Sequence, residues 1–572
     1  MDAALAPAPL APATELPAAE IVGTCRRMLA DLMRHDLPPQ RAAATFDLPP
    51  FERLDVDLRT RGVLRASTSG AGESAQAQLA DAVTHACSDT RFDRVVACDL
   101  ADLSVEIWLQ TGSDFVPPAR REHAFDFLSG RCGAEIEWAD AHASFKPSMA
   151  LERSFKRPAD YLDALCEHAG VFAGAWRESA CSVRRTQWRH LCEDTRGGHV
   201  ELRGLRRTLA EPPGDAVLRG WIDEGLTYLA NNQQSDGDYG YLYYPLTGRG
   251  GAGKSNSVRS SGCAYAMAHA VHACSPALEA TAQRSAERAI AGILDRCEPR
   301  GGTGLIVPEP GSSAQNPGKL GSTALLALAT LAPSMRDRFA AQVPRLLASL
   351  FSAQNEDGQF GCYFDSDRIP GAAVDYYPGE ALLALVHAAE AGMSGCLDAC
   401  RRAFAPYRRH FREAPSTAFV GWHADAWSRV TRLGGDGDHA AFVFEQIDWL
   451  LQRQNLADAS APDHGGFRVA GGRSNVSSTV FAEATIRAAQ LARELGDGER
   501  WRRYRTCALA ALRFCAGLRI VREQSAFFPH PQRAIGGVTG NLVRFEVRAD
   551  HVQHLMTMAM AALQTRDLLA RV

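Results

Sequence analysis

The chain has 572 residues, 46% of them apolar and 22% charged, with a formal net charge of −4. It is too long for one ordinary domain, apolar enough for a large core, and too evenly charged to attract nucleic acid or an acidic membrane face in bulk. Fifteen cysteines are scattered without framework spacing, so buried free thiols in a reducing, cytoplasmic compartment are expected.

Residues 1–18 are rich in Ala and Pro and read as a flexible tail, with neither the basic start nor the apolar stretch of a signal peptide. No apolar run is long enough to span a bilayer. Over residues 19–208 strand and helix signals mix: LSVEIWLQ (103–110) predicts a strand, and AQLADAVTHACSD (77–89) and ADYLDALCEHAG (159–170) predict amphipathic helices. An α+β domain is expected there. LAEPPGD (209–215) reads as a linker.

From 216 to 572 helical patterns dominate. Twelve are predicted, over about 216–232, 256–274, 277–297, 319–332, 336–354, 377–392, 394–411, 421–432, 438–454, 477–494, 498–517 and 547–570. Several, such as STALLALATLA (322–332), are apolar nearly all round and must be covered on more than one side. Six helical hairpins closed into a double ring, an (α/α)6 toroid, provide that cover. Three segments share a plan of Gln, then Asp-Gly or His-Gly, then an aromatic: NQQSDGDYGY (232–241), AQNEDGQFGCY (353–363) and RQNLADASAPDHGGF (453–467). In each the Gly ends a helix and the aromatic is expected to fold back between helices.

Polar clusters open alternate helices, as inner-ring membership requires. Candidate catalytic residues are Tyr377, Glu380, Asp425, Glu483, Asp550 and His551. Candidate substrate contacts are Arg259, Lys319, Tyr376, His423, Trp427 and Arg548. Arginines suit a carboxylate and aromatics suit sugar faces. Epimerisation beside a carbonyl needs one group to remove a proton and another to return it to the opposite face. Hydrolysis needs two carboxylates about 5–10 Å apart. No cofactor is required by either reading. Zinc is a weaker alternative, on His551, His554 and Cys263.

Four landmarks, SDTRF (88–92), SVEIWL (104–109), ASFKPSM (143–149) and YLDALCEHAGVFAGAW (161–176), make the first domain resemble the AMME-syndrome chromosomal-region (AMMECR) family. The resemblance implies a compact α+β domain. The family's Leu-Arg-Gly-Cys-Ile-Gly run is replaced by LRASTSG (64–70), which keeps Arg65 but has Ser67 at the Cys position. Thiol chemistry is not carried over, and a scaffolding or substrate-presenting role gains weight. The second domain resembles the α/α-toroid enzymes: glucuronyl epimerases, six-hairpin glycosidases, N-acylglucosamine epimerases and terpenoid cyclases. DYYPGEALLALVHA (375–388) and RADHVQHLMTMA (548–559) look like helix-opening and closing segments of glucuronyl epimerases, with Ala549 where that family has an aromatic. The resemblance implies a carbohydrate- or glycoconjugate-active epimerase or hydrolase. The alternatives are a peptide- or terpenoid-modifying cyclase, for which DSD (365–367) and DGD (436–438) are weak acidic motifs, and a non-catalytic scaffold. The expected partner is a small molecule or glycan, with no nucleic acid and no membrane; the oligomeric state is open.

GRGGAGKS (248–255) matches the P-loop pattern, with Lys254 and Ser255 in its phosphate-binding places. Pro245 interrupts the strand that should precede it, and no parallel-strand series follows. A Gly-rich loop at the ring's mouth is the better reading.

Overall fold

In the computed structural model the described residues are all except 1–15, 36, 38, 40–45, 47, 126, 128–129, 194–197, 208, 210, 252–255, 310–317, 365–370, 435, 470–471 and 571–572. Most of the Ala/Pro tail, Lys254, Ser255 and the DSD segment therefore lie outside the described residues. The chain divides into two compact units: Met1–Arg207 with Arg522–Pro531, and Thr208–Val521 with Gln532–Val572. Residues 522–531, given to the ring by the sequence reading, thus group with the first unit.

The first unit contains α1 (Ala18–His35), β1 (Arg53–Thr60), β2 (Val63–Ser69), α2 (Ala75–Cys87), β3 (Leu103–Phe115), β4 (Cys132–Trp138), β5 (Ala141–Phe145), α3 (Ser148–Glu152), α4 (Pro158–His168), β6 (Ser182–Glu193) and β7 (His199–Leu202). The strands form one antiparallel sheet ordered β2-β1-β3-β6-β4-β5, with β7 paired to β6. Side chains alternate across a strand. Leu54, Val56, Leu58, Val105, Ile107 and Leu109 accordingly share one core with residues of α1 and α2. The alternate positions are polar and nonetheless buried. Arg59 Nε donates to Glu106 Oε1 at 2.8 Å, His190 Nε2 meets Glu106 Oε2 at 3.1 Å, and Lys146 Nζ donates to Asp57 at 2.6 Å. Ser67, where the family resemblance expects a cysteine, has its Oγ 3.4 Å from the same Lys146 ammonium. The Phe527 ring covers this face, 5.9 Å from His190 and 5.0 Å beneath the Arg59 guanidinium.

The second unit contains α5 (Asp215–Asn231), β8 (Leu242–Tyr244), β9 (Arg249–Gly251), α6 (Ser257–Ala270), α7 (Pro276–Leu294), β10 (Glu298–Arg300), β11 (Gly304–Ile306), α8 (Leu320–Leu331), α9 (Val343–Ser352), α10 (Tyr377–Glu390), α11 (Cys396–Glu413) and α12 (Thr417–Arg432). It continues with α13 (Gly437–Leu451), α14 (Ser478–Glu494), α15 (Gly498–Ala516), the short α16 (Pro531–Ala534), β12 (Thr539–Asn541), β13 (Arg544–Arg548) and α17 (Ala549–Gln564). α6, α8, α10, α12, α14 and α17 each pack on the next, and α17 returns to α6, closing an inner ring of six. α7, α9, α11, α13 and α15 back the inner helix before each of them, and α5 backs α17. This is the (α/α)6 toroid. Every residue of α8 is buried, as cover on both sides demands.

Several helix boundaries differ from the sequence reading, and three of the helix starts have a clear local cause. α12 starts at Thr417 because Ser416 caps it, its Oγ accepting from the Ala418 amide at 3.1 Å. α9 starts at Val343, where Pro344 suits a first turn. α17 starts only at Ala549, because Val547 and Arg548 pair with β8. Of the GRGGAGKS segment, Arg249–Gly251 form β9, paired antiparallel with β8 in a hairpin, and Pro245 lies just past the end of β8. Asp436 of the DGD segment caps α13, accepting from the Asp438 amide at 3.1 Å.

The Gln-Gly-aromatic turns repeat in space. Gln233, Gln354 and Gln454 each donate from Nε2 to the turn glycine's carbonyl and to one carbonyl of an outer helix, at Ser285, Ala399 and Cys507. Tyr239, Phe360 and Phe467 are buried behind them. Gly237, Gly358 and Gly465 have φ near +88°, and a Cβ on Gly358 would sit 2.3 Å from the Arg402 carbonyl. Gly358→Ala is expected to lower unfolding free energy by more than about 2 kcal/mol through backbone strain and overpacking. Gly361→Ala, whose Cβ meets nothing within 3.8 Å, is the control that should leave a denaturant melt unchanged.

Candidate active site

Consecutive helices run antiparallel, so all six inner helices point the same way and present their N-termini to one mouth. A cavity of about 440 Å³ lies there, a size ordinary for small-molecule sites. Every inner helix contributes from its amino-terminal half: Asn256 and Arg259 from α6, Leu325 from α8, Glu380 from α10, Trp422 from α12, Thr479 from α14, and Asp550, His551 and His554 from α17. Each N-terminus carries roughly half a positive charge, so the bowl favours anions and developing negative charge.

On one side two arginines converge on a carboxylate. Arg548 Nε donates to Asp550 Oδ1 at 3.0 Å, and Arg259 Nε donates to Asp550 Oδ2 at 3.1 Å. Both guanidiniums lie over the Tyr241 ring, at 5.7 and 4.7 Å. Burial opposes ionisation of Asp550, but the Arg548 hydrogen bonds and the neighbouring cations hold its carboxyl well below the usual range. Beside it, burial pushes His551 down to about 4 despite Asp550, so the ring is neutral near pH 7. His551 Nδ1 lies 3.3 Å from the Val538 carbonyl, which favours the proton on Nδ1 and leaves Nε2 as an acceptor. His554 is likewise held near 4 by burial, and its ring is 5.7 Å from Trp422.

Opposite, on α10, Glu380 is 3% exposed and its Oε2 has no hydrogen-bond partner among the described residues. Burial raises its pKa to about 8, so it is mostly protonated at neutral pH. A Cβ on Gly321 of α8 would lie 1.9 Å from that oxygen; glycine makes the room. Tyr377 precedes it, its phenol pushed up by burial, and Tyr376 stands 43% exposed at the rim.

The cavity thus gathers Arg259, Tyr376, Tyr377, Glu380, Arg548, Asp550 and His551 of the residues singled out in the sequence. It does not take in Lys319, His423, Asp425, Trp427 or Glu483. Lys319 Nζ is paired with Glu309 at 3.0 Å. His423 stacks on Phe419 at 3.6 Å, and Trp427 packs against Phe404 of α11 at 5.2 Å, both on the helix side turned from the bowl. Asp425 pairs with Arg429 at 3.0 Å and Arg487 at 3.7 Å, and Glu483 accepts from Thr557 at 2.7 Å. Those two lie one helical turn beyond the cavity-lining Trp422 and Thr479. Trp422 and Gln553, which line the cavity, were missed. Helical phase could have found Trp422, since Ala418 and Trp422 line the cavity four residues apart. For zinc, Cys263 is buried in a separate small recess, and no three His, Cys, Asp or Glu among the described residues are arranged to hold a metal ion.

Comparison with known proteins gives matches in each part of the chain. Residues 62–190 match the AMMECR1 family model. The uncharacterized protein PH0010 from Pyrococcus horikoshii is 19% identical over 33% of this chain and 97% of its own, with a TM-score of 0.29. A D-mannose isomerase is 12% identical over 61% of this chain and 97% of its own (TM-score 0.46). The cellobiose 2-epimerase from Spirochaeta thermophila DSM 6192 is 15% identical over 61% and 96% (TM-score 0.42). No curated protein matches the sequence. Likeness of this degree leaves the chemistry to be argued from the site.

Glu380 makes folding pH-dependent in a definite direction. Its folded pKa of about 8 exceeds the ordinary 4.5, so its favourable contribution is full below pH 4.5 and is lost as pH rises through 8. Glu380→Gln should therefore raise Tm relative to wild type by a margin that is small at pH 5 and grows to pH 8. Parallel thermal melts check this; a margin that shrinks with pH would contradict the buried, protonated carboxyl.

Proposed function

We propose that the toroid is a carbohydrate-acting enzyme of the epimerase or isomerase kind, moving a proton at a carbon beside a carbonyl. The observation that carries this reading is a protonated acid and a neutral imidazole facing one cavity from α10 and α17, the third and sixth members of a ring of six and so opposite one another. His551 Nε2 is available to take a proton from one face of the substrate, and the Glu380 carboxyl has one to give to the other. The arginine pair and the converging helix N-termini stabilise the negative charge that develops on the substrate oxygens. Asp550 holds Arg259 and Arg548 in place, which makes it a positioning residue. Tyr376 and Trp422 offer faces for a sugar ring.

Hydrolysis is less well supported. It needs two free carboxylates flanking the bond. Asp425 and Glu483 do not line the cavity, and both oxygens of Asp550 are held by arginine, which leaves Glu380 without a partner.

In heavy water the purified protein should place deuterium beside the carbonyl of one member of a panel of reducing sugars and uronates, read by NMR. His551→Asn should reduce that exchange roughly 100-fold or more with the fold retained. A panel that shows no exchange, or a variant as active as wild type, overturns the reading.

A further inference from the structure

Each inversion described above leaves a proton on His551 and an ionised Glu380, on opposite helices. The site must be reset before the next turnover. Trp422 and His554 form the cavity floor. On the same helix faces, at spacings of three, four and three, Asp425 follows Trp422, Glu483 follows Thr479, and Thr557 follows His554. Two turns past Glu380 lies His387.

These side chains build a second polar layer along the ring axis. Thr557 donates to Glu483 Oε2 at 2.7 Å, and Asp425 takes Arg429 and Arg487. Arg429 continues to Glu390 at 2.9 Å, whose side chain is 33% exposed. The ion pairs alone do not complete the layer. Arg487 Nε has only the long ion pair to Asp425, and His387 Nε2 and His269 Nε2, like Gln553 Nε2 and Glu380 Oε2 at the level of the cavity, are buried with no hydrogen-bond partner among the described residues. The large majority of buried polar atoms in folded proteins have a partner, and where the protein supplies none the usual one is ordered water.

We infer that the ring axis is a hydrated proton path in which Glu483 relays protons between the cavity and the far face of the toroid. Protonated His551 gives its proton to the water file. One Glu483 oxygen takes a proton as the other releases one, so the carboxyl is unchanged and one proton reaches bulk solvent. The same file, run in reverse, returns a proton to Glu380. Burial, which Arg487 only partly offsets, raises Glu483 to about 7, so both of its states are populated at neutral pH. Glu483 acts through water and is a positioning residue for proton return. Its use in turnover rests on the proton-transfer reading; the path itself does not.

Neutron diffraction from crystals of the full chain soaked in D2O tests the path without any substrate. D2O molecules should bridge Arg487 Nε, His387 Nε2, His269 Nε2 and Glu483 and reach Gln553. A dry layer, or these atoms capped by rotated side chains, overturns the inference whatever the activity. In turnover, Glu483→Gln should lower kcat and solvent-deuterium exchange roughly tenfold or more with KM unchanged, and Glu483→Asp should restore part of the loss. A kcat equal to wild type, or kcat and KM lost together with Tm, overturns the relay. If wild-type protein exchanges no proton in any sugar of the panel, the functional reading fails and the neutron map alone decides the path.

Discussion

Closure of the inner ring, with α17 packed at once on α14 and α6, is the constraint on which the second unit depends. It brings the last helix beside the second, so Arg548 and Asp550 meet Arg259 across almost three hundred residues of chain. The up-and-down alternation of consecutive helices makes the inner ones parallel. Six positive helix ends then converge on one bowl and six negative ends on the opposite side. Arg429 and Arg487, in the later turns of α12 and α14, sit toward that negative end and complement it.

A ring so apolar can hold charge inside only where each charge is answered. Asp550 is ionised because two guanidiniums share its oxygens, and Asp425 because Arg429 and Arg487 do the same one turn deeper. Glu380 has no such partner and escapes the cost of burial by keeping its proton. The histidines of α17 escape it by losing theirs. The same desolvation thus leaves a protonated carboxyl on one side and neutral imidazoles on the other.

The first unit meets the same problem on a sheet. Alternate residues of β1 and β3 face away from the apolar core, yet Asp57, Arg59 and Glu106 are buried. Their charges are satisfied across strands and by Lys146, which also reaches Ser67. A cysteine at that position would face an ammonium already claimed by two carboxylates, Asp55 and Asp57.

The sequence alone determined the twelve ring helices, the alternation that assigns inner and outer helices, the three glutamine turns and the four landmarks between residues 88 and 176, because each is a local pattern of period, breaker and cap. It also marked Arg259, Glu380, Asp550 and His551, since helix starts are legible and all inner starts share a mouth. What only the tertiary structure decided is depth and phase. Trp422 lines the cavity while His423, Asp425 and Trp427 do not, because a helix turns about 100° per residue and only packing against α10, α11 and α14 fixes which way is inward. Depth sorted the carboxylates as well: Glu483, one turn past Thr479, leaves the cavity's wall for its underside, a distinction of about 6 Å of helix rise that no spacing in the sequence assigns a boundary to.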